Sequence, residues 1–433
     1  MVILLLRYKI KKILDNEDNK SLIVGSFFAF IIRIVGALSG FAATFFIARN
    51  LGPGESGYYF LAFSVVVVVS AFSRTGLDNT VLRFTGGSPE LAVDAIFKSL
   101  LLILSVSSLS AMALYFCAPY LATQLFSKPE LDPVLRYMSL GVVGLSVLTI
   151  SAMALQGMRR VLASVFVLNI AANLLLIASL YLVSDLSAVQ LAGLYASASL
   201  LVGGVGFSFF YLYRPRERKS AISWRDLFAS CGPLWIVVIM SQMVEWSGQF
   251  MAGAYVSSEA LAQLAVAQRT AMLSSFILIA VNLFVAPRFA SLYRNNDMLA
   301  LEHLAIKSVK LISLFALPVI GGMLIFPSFL MGLFGAEFAE GAVLLQILAV
   351  GQFINAITGS VGFLLIMSGH ERDMRNVTLI SGFSAIFLAW FLTAQFGIIG
   401  AATGTAIAVA TQNLLAVYFV KKRLGFNTLA VWR

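Results

Sequence analysis

The feature that most constrains this chain is a succession of apolar segments, most of them longer than 20 residues and separated by short polar connectors. A helix of about 20 apolar residues crosses the hydrocarbon core of a bilayer, since each residue adds about 1.5 Å. Of the 433 residues, 60% are hydrophobic and only 12% are charged, which is typical of a chain that folds in lipid. We predict an all-α integral membrane protein with about twelve transmembrane spans, at 21–47, 57–82, 94–118, 133–156, 161–183, 188–213, 228–254, 260–287, 306–334, 341–368, 375–395 and 398–420.

The connectors are too short to hold a soluble catalytic domain, so we predict no enzyme activity and no catalytic residue. Two cysteines and two histidines are too few for a metal cluster, and no bound cofactor is expected. The net charge of +10 lies almost entirely between the apolar segments, which favours contact with an acidic lipid surface over nucleic-acid binding.

Lysine and arginine are distributed unequally between the two sides of the predicted bundle. With both termini placed inside, 24 of the 30 basic residues fall in inside segments and three in outside segments. Positively charged segments stay on the cytoplasmic side during insertion. We therefore expect a multi-pass protein of the inner, cytoplasmic membrane, with both termini in the cytoplasm.

The second half of the chain echoes the first. The stretch from Gly193 to Tyr211 recurs as Gly400 to Tyr418, an offset of 207 residues. Six spans are an even number, so both copies have the same orientation, and we predict two parallel six-helix lobes around a central cavity. The expected organisation is a basic cytoplasmic N-terminus at 1–20, an N-lobe at 21–213, a basic cytoplasmic linker at 214–227, a C-lobe at 228–420 and a cytoplasmic tail at 421–433.

Several motifs resemble a known family. They are Arg33-x-x-Gly36, the run Phe45–Tyr59 with its Arg-x-Leu-Gly-Pro turn, Thr75–Asp78, Ala154–Arg160 and Phe396–Ala402. In these motifs the chain resembles the O-antigen type polysaccharide-biosynthesis flippases of the multidrug/oligosaccharidyl-lipid/polysaccharide (MOP) exporter superfamily.

The resemblance implies a transport function. A protein of this kind moves a polyprenyl (undecaprenyl)-diphosphate-linked oligosaccharide from the cytoplasmic to the outer leaflet by alternating access between two lobes. Its product serves the assembly of a cell-surface polysaccharide such as O-antigen, capsule or exopolysaccharide. Polysaccharide polymerase machinery is then an expected partner, beside the lipids of the membrane.

Two arginines lie deep inside the predicted spans. Arg33 is 12 residues into the first span and Arg269 is nine residues into the eighth, so both are expected near the midplane, one in each lobe. Such residues normally face the protein interior or a water-filled path. Because a guanidinium binds phosphate oxygens bidentately, both are candidates for diphosphate binding. The alternative is a structural ion pair with Glu245.

Three further groups have two interpretations each or depend on one that does. Glu245 is the only acidic residue deep in the second half, and Gln242 and Gln249 lie on the same helix face. It either binds a coupling Na⁺ or H⁺ or neutralises Arg269. Arg74 and Asp78 are spaced i,i+4 and can pair, either as a local salt bridge or as a gate on the cytoplasmic side.

A cation-coupled multidrug or toxic-compound exporter of the same fold is the alternative function. Proteins of that kind generally bind cationic compounds, so an acidic cavity would be expected. Three arginines against two acids inside the predicted spans favour an anionic substrate instead.

Overall fold

The structure, a computed structural model, describes residues 17–87, 89–183, 185–214 and 222–430. Most of the predicted basic N-terminus (1–16), the centre of the predicted linker (215–221) and the last three residues of the predicted tail (431–433) lie outside the described residues. Throughout the described ranges the regular structure is helical, with no strand.

Twelve long rods account for most of the described chain, and we name them in chain order. They are α1 (17–51), α2 (53–73, continued by Leu77–Gly87), α3 (Pro89–Tyr120), α4 (Leu131–Gly157), α5 (Val161–Leu182), α6 (Ala188–Tyr213), α7 (Trp224–Tyr255), α8 (Ser258–Ala271 and Ser275–Arg294), α9 (Met298–Ile325), α10 (Ala342–Thr358 and Val361–Met367), α11 (371–396) and α12 (398–424).

Among the described residues, nine helices are long and apolar enough to cross a membrane. Two of them, Ile31–Ser73 and Glu371–Leu424, each contain two rods. The rods join at Gly52 and Gly397, whose φ angles of 71° and 56° lie in the left-handed region that glycine adopts at little cost. Together with α7, these rods confirm the predicted all-α membrane protein of about twelve spans.

The interiors of several spans differ from the prediction. The second span breaks at Arg74–Gly76, the eighth contains a 3₁₀ turn at Met272–Ser274, and the tenth breaks near Gly359, where φ is 72°. The ninth rod ends at Ile325 rather than at residue 334. Pro327 starts a separate short helix there, because proline has no N–H with which to continue the preceding one.

Helix packing divides the bundle into two lobes. In the first half α4 packs against α3 and α6, and in the second half α7 packs against the α11–α12 pair. The α1–α2 pair makes the main contacts between halves, with α7 and α8. Two hydrogen bonds fix this interface: Gln249 Nε2 donates to the Phe60 carbonyl oxygen at 2.9 Å, and Trp235 Nε1 donates to the Phe72 carbonyl oxygen at 2.9 Å.

Because twelve rods cross the bundle alternately, both ends of the described chain lie at the same end of it. We call this the basic end, and the opposite end the distal end. The basic end carries Arg159, Arg160, Arg294 and the run Lys421–Arg423. The joints at Gly52 and Gly397 lie at the distal end.

Candidate functional site

A polar cavity of about 320 Å³ lies in the first lobe, between α1, α5 and α6. Gly36 and Gly40 leave room for it on the α1 side, since neither carries a side chain. The π-helical turn Phe166–Ile170 shapes the α5 side, and turns of this kind recur at functional sites. The polar side chains that line the cavity are Asn169, Asn173, Tyr195, Ser199 and Arg269.

The two asparagines are held in place by hydrogen bonds between α1 and α5. Ser39 Oγ donates to the Asn169 carbonyl oxygen at 2.6 Å, and Asn173 Nδ2 donates to the same oxygen at 2.7 Å. Asn169 and Asn173 are four residues apart and so share a helix face. The sequence prediction missed both, although a pair of amides at this spacing in an apolar span is a readable signal.

Arg269 reaches into this first-lobe cavity from the second lobe. Its guanidinium carbon lies 5.3 Å from the ring centre of Phe63 and 5.5 Å from that of Trp246, within the range of cation–π attraction. The guanidinium makes no hydrogen bond and no salt bridge with any residue in the described part of the chain. Its N–H donors are therefore free for a ligand in the cavity.

Arg33 lies closer to the basic end. It lines a narrow cleft with Ile34, Phe276 and Ala280, and its Nε is buried with no hydrogen-bond partner among the described residues. Phe276 and Ala280 follow Arg269 on α8 by seven and eleven residues, which is about 10–16 Å along a helix.

The two arginines are therefore staggered along the gap between α1 and α8 and do not face each other at one depth, as the sequence suggested. The difference arises because α1 begins at residue 17 and α8 extends to Arg294, beyond the predicted span ends. Counting residues from those predicted ends placed Arg33 too close to the level of Arg269.

Glu245 lines a second cavity, of about 280 Å³, within the second lobe. Its carboxylate accepts no hydrogen bond from the described residues and forms no salt bridge with Arg269, although the two charges interact electrostatically. Gln268 Nε2 donates instead to the Glu245 backbone oxygen, at 2.5 Å. The amide side chains around the cavity are Gln268, Gln352, Asn355, Gln412 and Asn413.

The two glutamines predicted beside Glu245 lie elsewhere. Gln249 is 3% exposed, and its donor is used in the contact with the Phe60 carbonyl between the lobes. Gln242 is half-buried and is not among the residues that line the second-lobe cavity. Their shared helix face with Glu245 therefore does not bring the three side chains to one site.

Arg74 and Asp78 are paired across the break in α2. Arg74 Nε lies 2.9 Å from Asp78 Oδ2, with side chains only 9% and 13% exposed. Arg74 Nη1 also donates to Ser70 Oγ at 2.7 Å, which in turn is hydrogen-bonded to Ser146 Oγ at 2.9 Å. This network ties the break in α2 to α4 close to where Trp235 of α7 contacts Phe72.

Comparison with known proteins places the chain among glycan and drug transporters. The profile of a family described as polysaccharide biosynthesis protein matches residues 46–342. The probable low-salt glycan biosynthesis flippase Agl15 of Haloferax volcanii is 22% identical over 399 residues, which cover 90% of this chain and 82% of that protein.

Two solved structures share the fold. An inward-facing multidrug resistance MATE family transporter of the MOP superfamily has a TM-score of 0.73 and 15% identity, covering 92% of this chain and 98% of its own. The lipid II flippase MurJ in an inward closed conformation has a TM-score of 0.73 and 16% identity, covering 91% of this chain and 87% of its own. Both confirm the predicted MATE-like arrangement of two helical lobes.

Proposed function

This chain belongs to the polysaccharide biosynthesis protein family, and from that premise we propose that it is a flippase for a lipid-linked glycan. It moves a polyprenyl (undecaprenyl)-diphosphate-linked oligosaccharide from the cytoplasmic to the outer leaflet, for assembly of a cell-surface polysaccharide. Two similar proteins support this class of substrate, since Agl15 is named a probable glycan biosynthesis flippase and MurJ a lipid II flippase. Transport of this kind changes no covalent bond in its cargo, so we assign no enzyme activity.

The observation that carries the proposal is the unpaired guanidinium of Arg269. An arginine inside a membrane costs about 2.5–3.5 kcal/mol or more to place there, and a partner or water-filled path normally offsets that cost. Here the described residues supply only two aromatic faces. A diphosphate in the cavity would provide the planar, bidentate acceptor that a guanidinium binds best.

The position of Arg269 also suggests how binding is linked to movement. The arginine belongs to the second lobe, whereas the rest of the polar lining belongs to the first. A ligand held there is touched by both lobes, so rocking one against the other changes its site. The diphosphate meets Arg33 first and Arg269 farther in, while Asn169 and Asn173 offer hydrogen-bonding groups to the sugars.

We assign the basic end to the cytoplasm, which puts both termini there and the protein in the cytoplasmic membrane. The excess of basic residues at that end supports this orientation. The Arg74–Asp78 pair then stands near the cytoplasmic contact between α2 and α7, where it serves as part of a gate. Released glycan lipid at the outer face is the substrate that polymerase machinery requires.

Deleting the gene tests the proposal directly. We expect loss of surface glycan together with accumulation of polyprenyl-diphosphate oligosaccharide that reagents confined to the outside do not reach. Both lipid-linked and surface glycan are measured in the same cells, and the intact gene restores both as the control. Unchanged glycan and unchanged lipid pools would contradict a flipping role.

Glu245 is the group that we propose binds a coupling Na⁺ or H⁺. Its carboxylate faces a cavity lined by amides and lacks a salt-bridge partner among the described residues. Replacing Glu245 with Gln keeps the shape and removes the charge, so flipping in proteoliposomes should lose its response to imposed Na⁺ and pH gradients. Glu337→Gln, at an exposed position, is the matched control. An unchanged gradient response in Glu245→Gln would exclude this role.

The same carboxylate favours the alternative function, a cation-coupled exporter of toxic compounds. The shared fold with a MATE family transporter supports it as well. The flippase proposal expects no export of a lipophilic cation from proteoliposomes under either gradient. Gradient-driven export of such a cation, without flipping of glycan lipid, would favour the exporter.

A further inference from the structure

An apolar groove of about 790 Å³ runs along the second lobe between α8 and α9. It lies outside both polar cavities, and several of its walls are large exposed side chains that face the surroundings of the bundle. Leu311 is 45% exposed and Phe315 is 55% exposed. The residues that form its apolar walls are Ile34, Phe276, Ile277, Ala280, Phe284, Leu304, Leu311, Phe315 and Val319.

Two cations stand at one end of this groove. Arg288 of α8 and Lys307 of α9 both line it, and both are exposed. Neither makes a salt bridge or a hydrogen bond with any residue in the ranges that the structure describes. The groove thus combines a long apolar surface with a positive charge pair at its basic end.

The length of the groove fits one leaflet of a bilayer. Arg288 and Phe276 are 12 residues apart on α8, as are Lys307 and Val319 on α9, which is about 18 Å on either helix. Half of a hydrocarbon core is about 15 Å thick. An anionic lipid lying in the groove would therefore place its headgroup at the two cations and its chain towards the midplane.

The groove is continuous with the path to the polar cavity. Ile34, Phe276 and Ala280 line both the groove and the cleft that holds Arg33. Phe276 also lines the first-lobe cavity that contains Arg269. A phosphate that leaves the basic end of the groove therefore meets Arg33 next and Arg269 after it, which a site for a passive boundary lipid does not require.

We propose that this groove binds the hydrocarbon chain of the polyprenyl diphosphate substrate, while Arg288 and Lys307 hold the diphosphate before it enters the cavity. The inference rests on the proposed flippase function and adds a docking site for the lipid part of the substrate. The chain stays in the groove, in contact with the bilayer, while the headgroup passes between the lobes.

Photo-cross-linking tests the groove in the intact protein. Benzoylphenylalanine replaces Leu311 in the groove or, as the control, Leu101 on α3, which is 60% exposed and 12 residues from the start of its helix, against 13 for Leu311. The probe is radiolabelled polyprenyl diphosphate in phosphatidylcholine vesicles. We expect labelling at position 311 to exceed that at position 101 about tenfold, as a preference of about 1.4 kcal/mol gives.

Charge variants then test the headgroup site. Arg288→Ala with Lys307→Ala should lower labelling at position 311 to near the control level, because the chain loses its anchor. Arg294→Ala with Lys310→Ala removes two exposed cations that do not line the groove and should leave labelling unchanged. An excess of phosphatidylglycerol should not displace the probe.

The outcomes separate this inference from the function beneath it. Equal labelling at positions 311 and 101, or full displacement by phosphatidylglycerol, would overturn the groove proposal. If Arg269→Ala still stops flipping in that case, the flippase proposal stands and only the groove fails. If polyprenyl-diphosphate glycan is not flipped by the unaltered protein, the proposed function fails as well.

Discussion

Replacing Arg269 with alanine is expected to stop flipping of the glycan lipid while leaving the folded protein as stable as before. Each hydrogen bond to a charged group contributes about 1.5–3 kcal/mol, so losing one such bond lowers transport about 10- to 150-fold, and losing a bidentate pair lowers it further. Stability should not fall, because Arg269 has no hydrogen-bond or salt-bridge partner among the described residues that its removal would leave unpaired.

Arg74 provides the matched control, since it is also an arginine inside the bundle but has partners. Arg74→Ala strands the Asp78 carboxylate, of which Oδ1 already lacks a hydrogen bond. Breaking a buried pair in this way costs about 3–5 kcal/mol. Thermal unfolding in detergent and flipping in proteoliposomes, measured on both variants, should thus separate a binding arginine from a structural one.

Two results would contradict this assignment. One is an Arg269→Ala protein that unfolds as readily as Arg74→Ala, which would identify Arg269 as part of the packing. The other is normal flipping by Arg269→Ala. Arg269→Lys should retain part of the activity, because the charge remains but the planar fork that fits a diphosphate is lost.

The overall architecture could be predicted from the sequence because it follows from local properties. Long apolar runs specify membrane helices, and basic connectors indicate one side of the bundle. The joint after the first span was also visible, since Gly52 and Pro53 interrupt a helical pattern. The i,i+4 spacing of Arg74 and Asp78 predicted their pairing for the same reason: both partners lie on one helix.

The candidate site was less predictable because it depends on how distant helices align. Gln249 shares a face with Glu245, yet its partner is the Phe60 carbonyl, 189 residues away in the sequence. Likewise, hydropathy identifies Arg269 as a residue inside a span but cannot show that it enters a cavity of the other lobe. The relative depth of Arg33 and Arg269 depends on where each helix begins, which hydropathy defines only to within a few residues.

Two close contacts between the lobes lead to the second large prediction. At the distal end, a Cβ on Gly57 of α2 would overlap the backbone carbonyl of Ser258 at the start of α8. At the basic end, a Cβ on Gly76 would lie 2.5 Å from the Cys231 carbonyl oxygen and 2.7 Å from the Trp235 nitrogen of α7. In both places the obstacle is backbone, which cannot rotate away as a side chain can.

Alanine at these positions should therefore hold opposite ends of the bundle open. Gly57→Ala prevents the distal contact, and Gly76→Ala prevents the basic one, at an additional cost of about 1–2 kcal/mol for its left-handed φ of 76°. Reversing a 1:99 population needs about 5.5 kcal/mol, which a backbone overlap of this kind is expected to supply. Both variants should lose transport, since alternating access requires each contact to form in turn.

Accessibility of the cavity tells the two variants apart. With Cys117 and Cys231 replaced by serine, Ala37→Cys places one thiol in the first-lobe cavity. A membrane-impermeant maleimide should label it from the distal side in Gly57→Ala and from the basic side in Gly76→Ala. Gly204→Ala on α6, where a Cβ meets nothing within 4 Å, should label as the parent does. Labelling from the same side in both variants would mean that these contacts are not the two gates, because an alternating cycle requires that opening one end leaves the other closed.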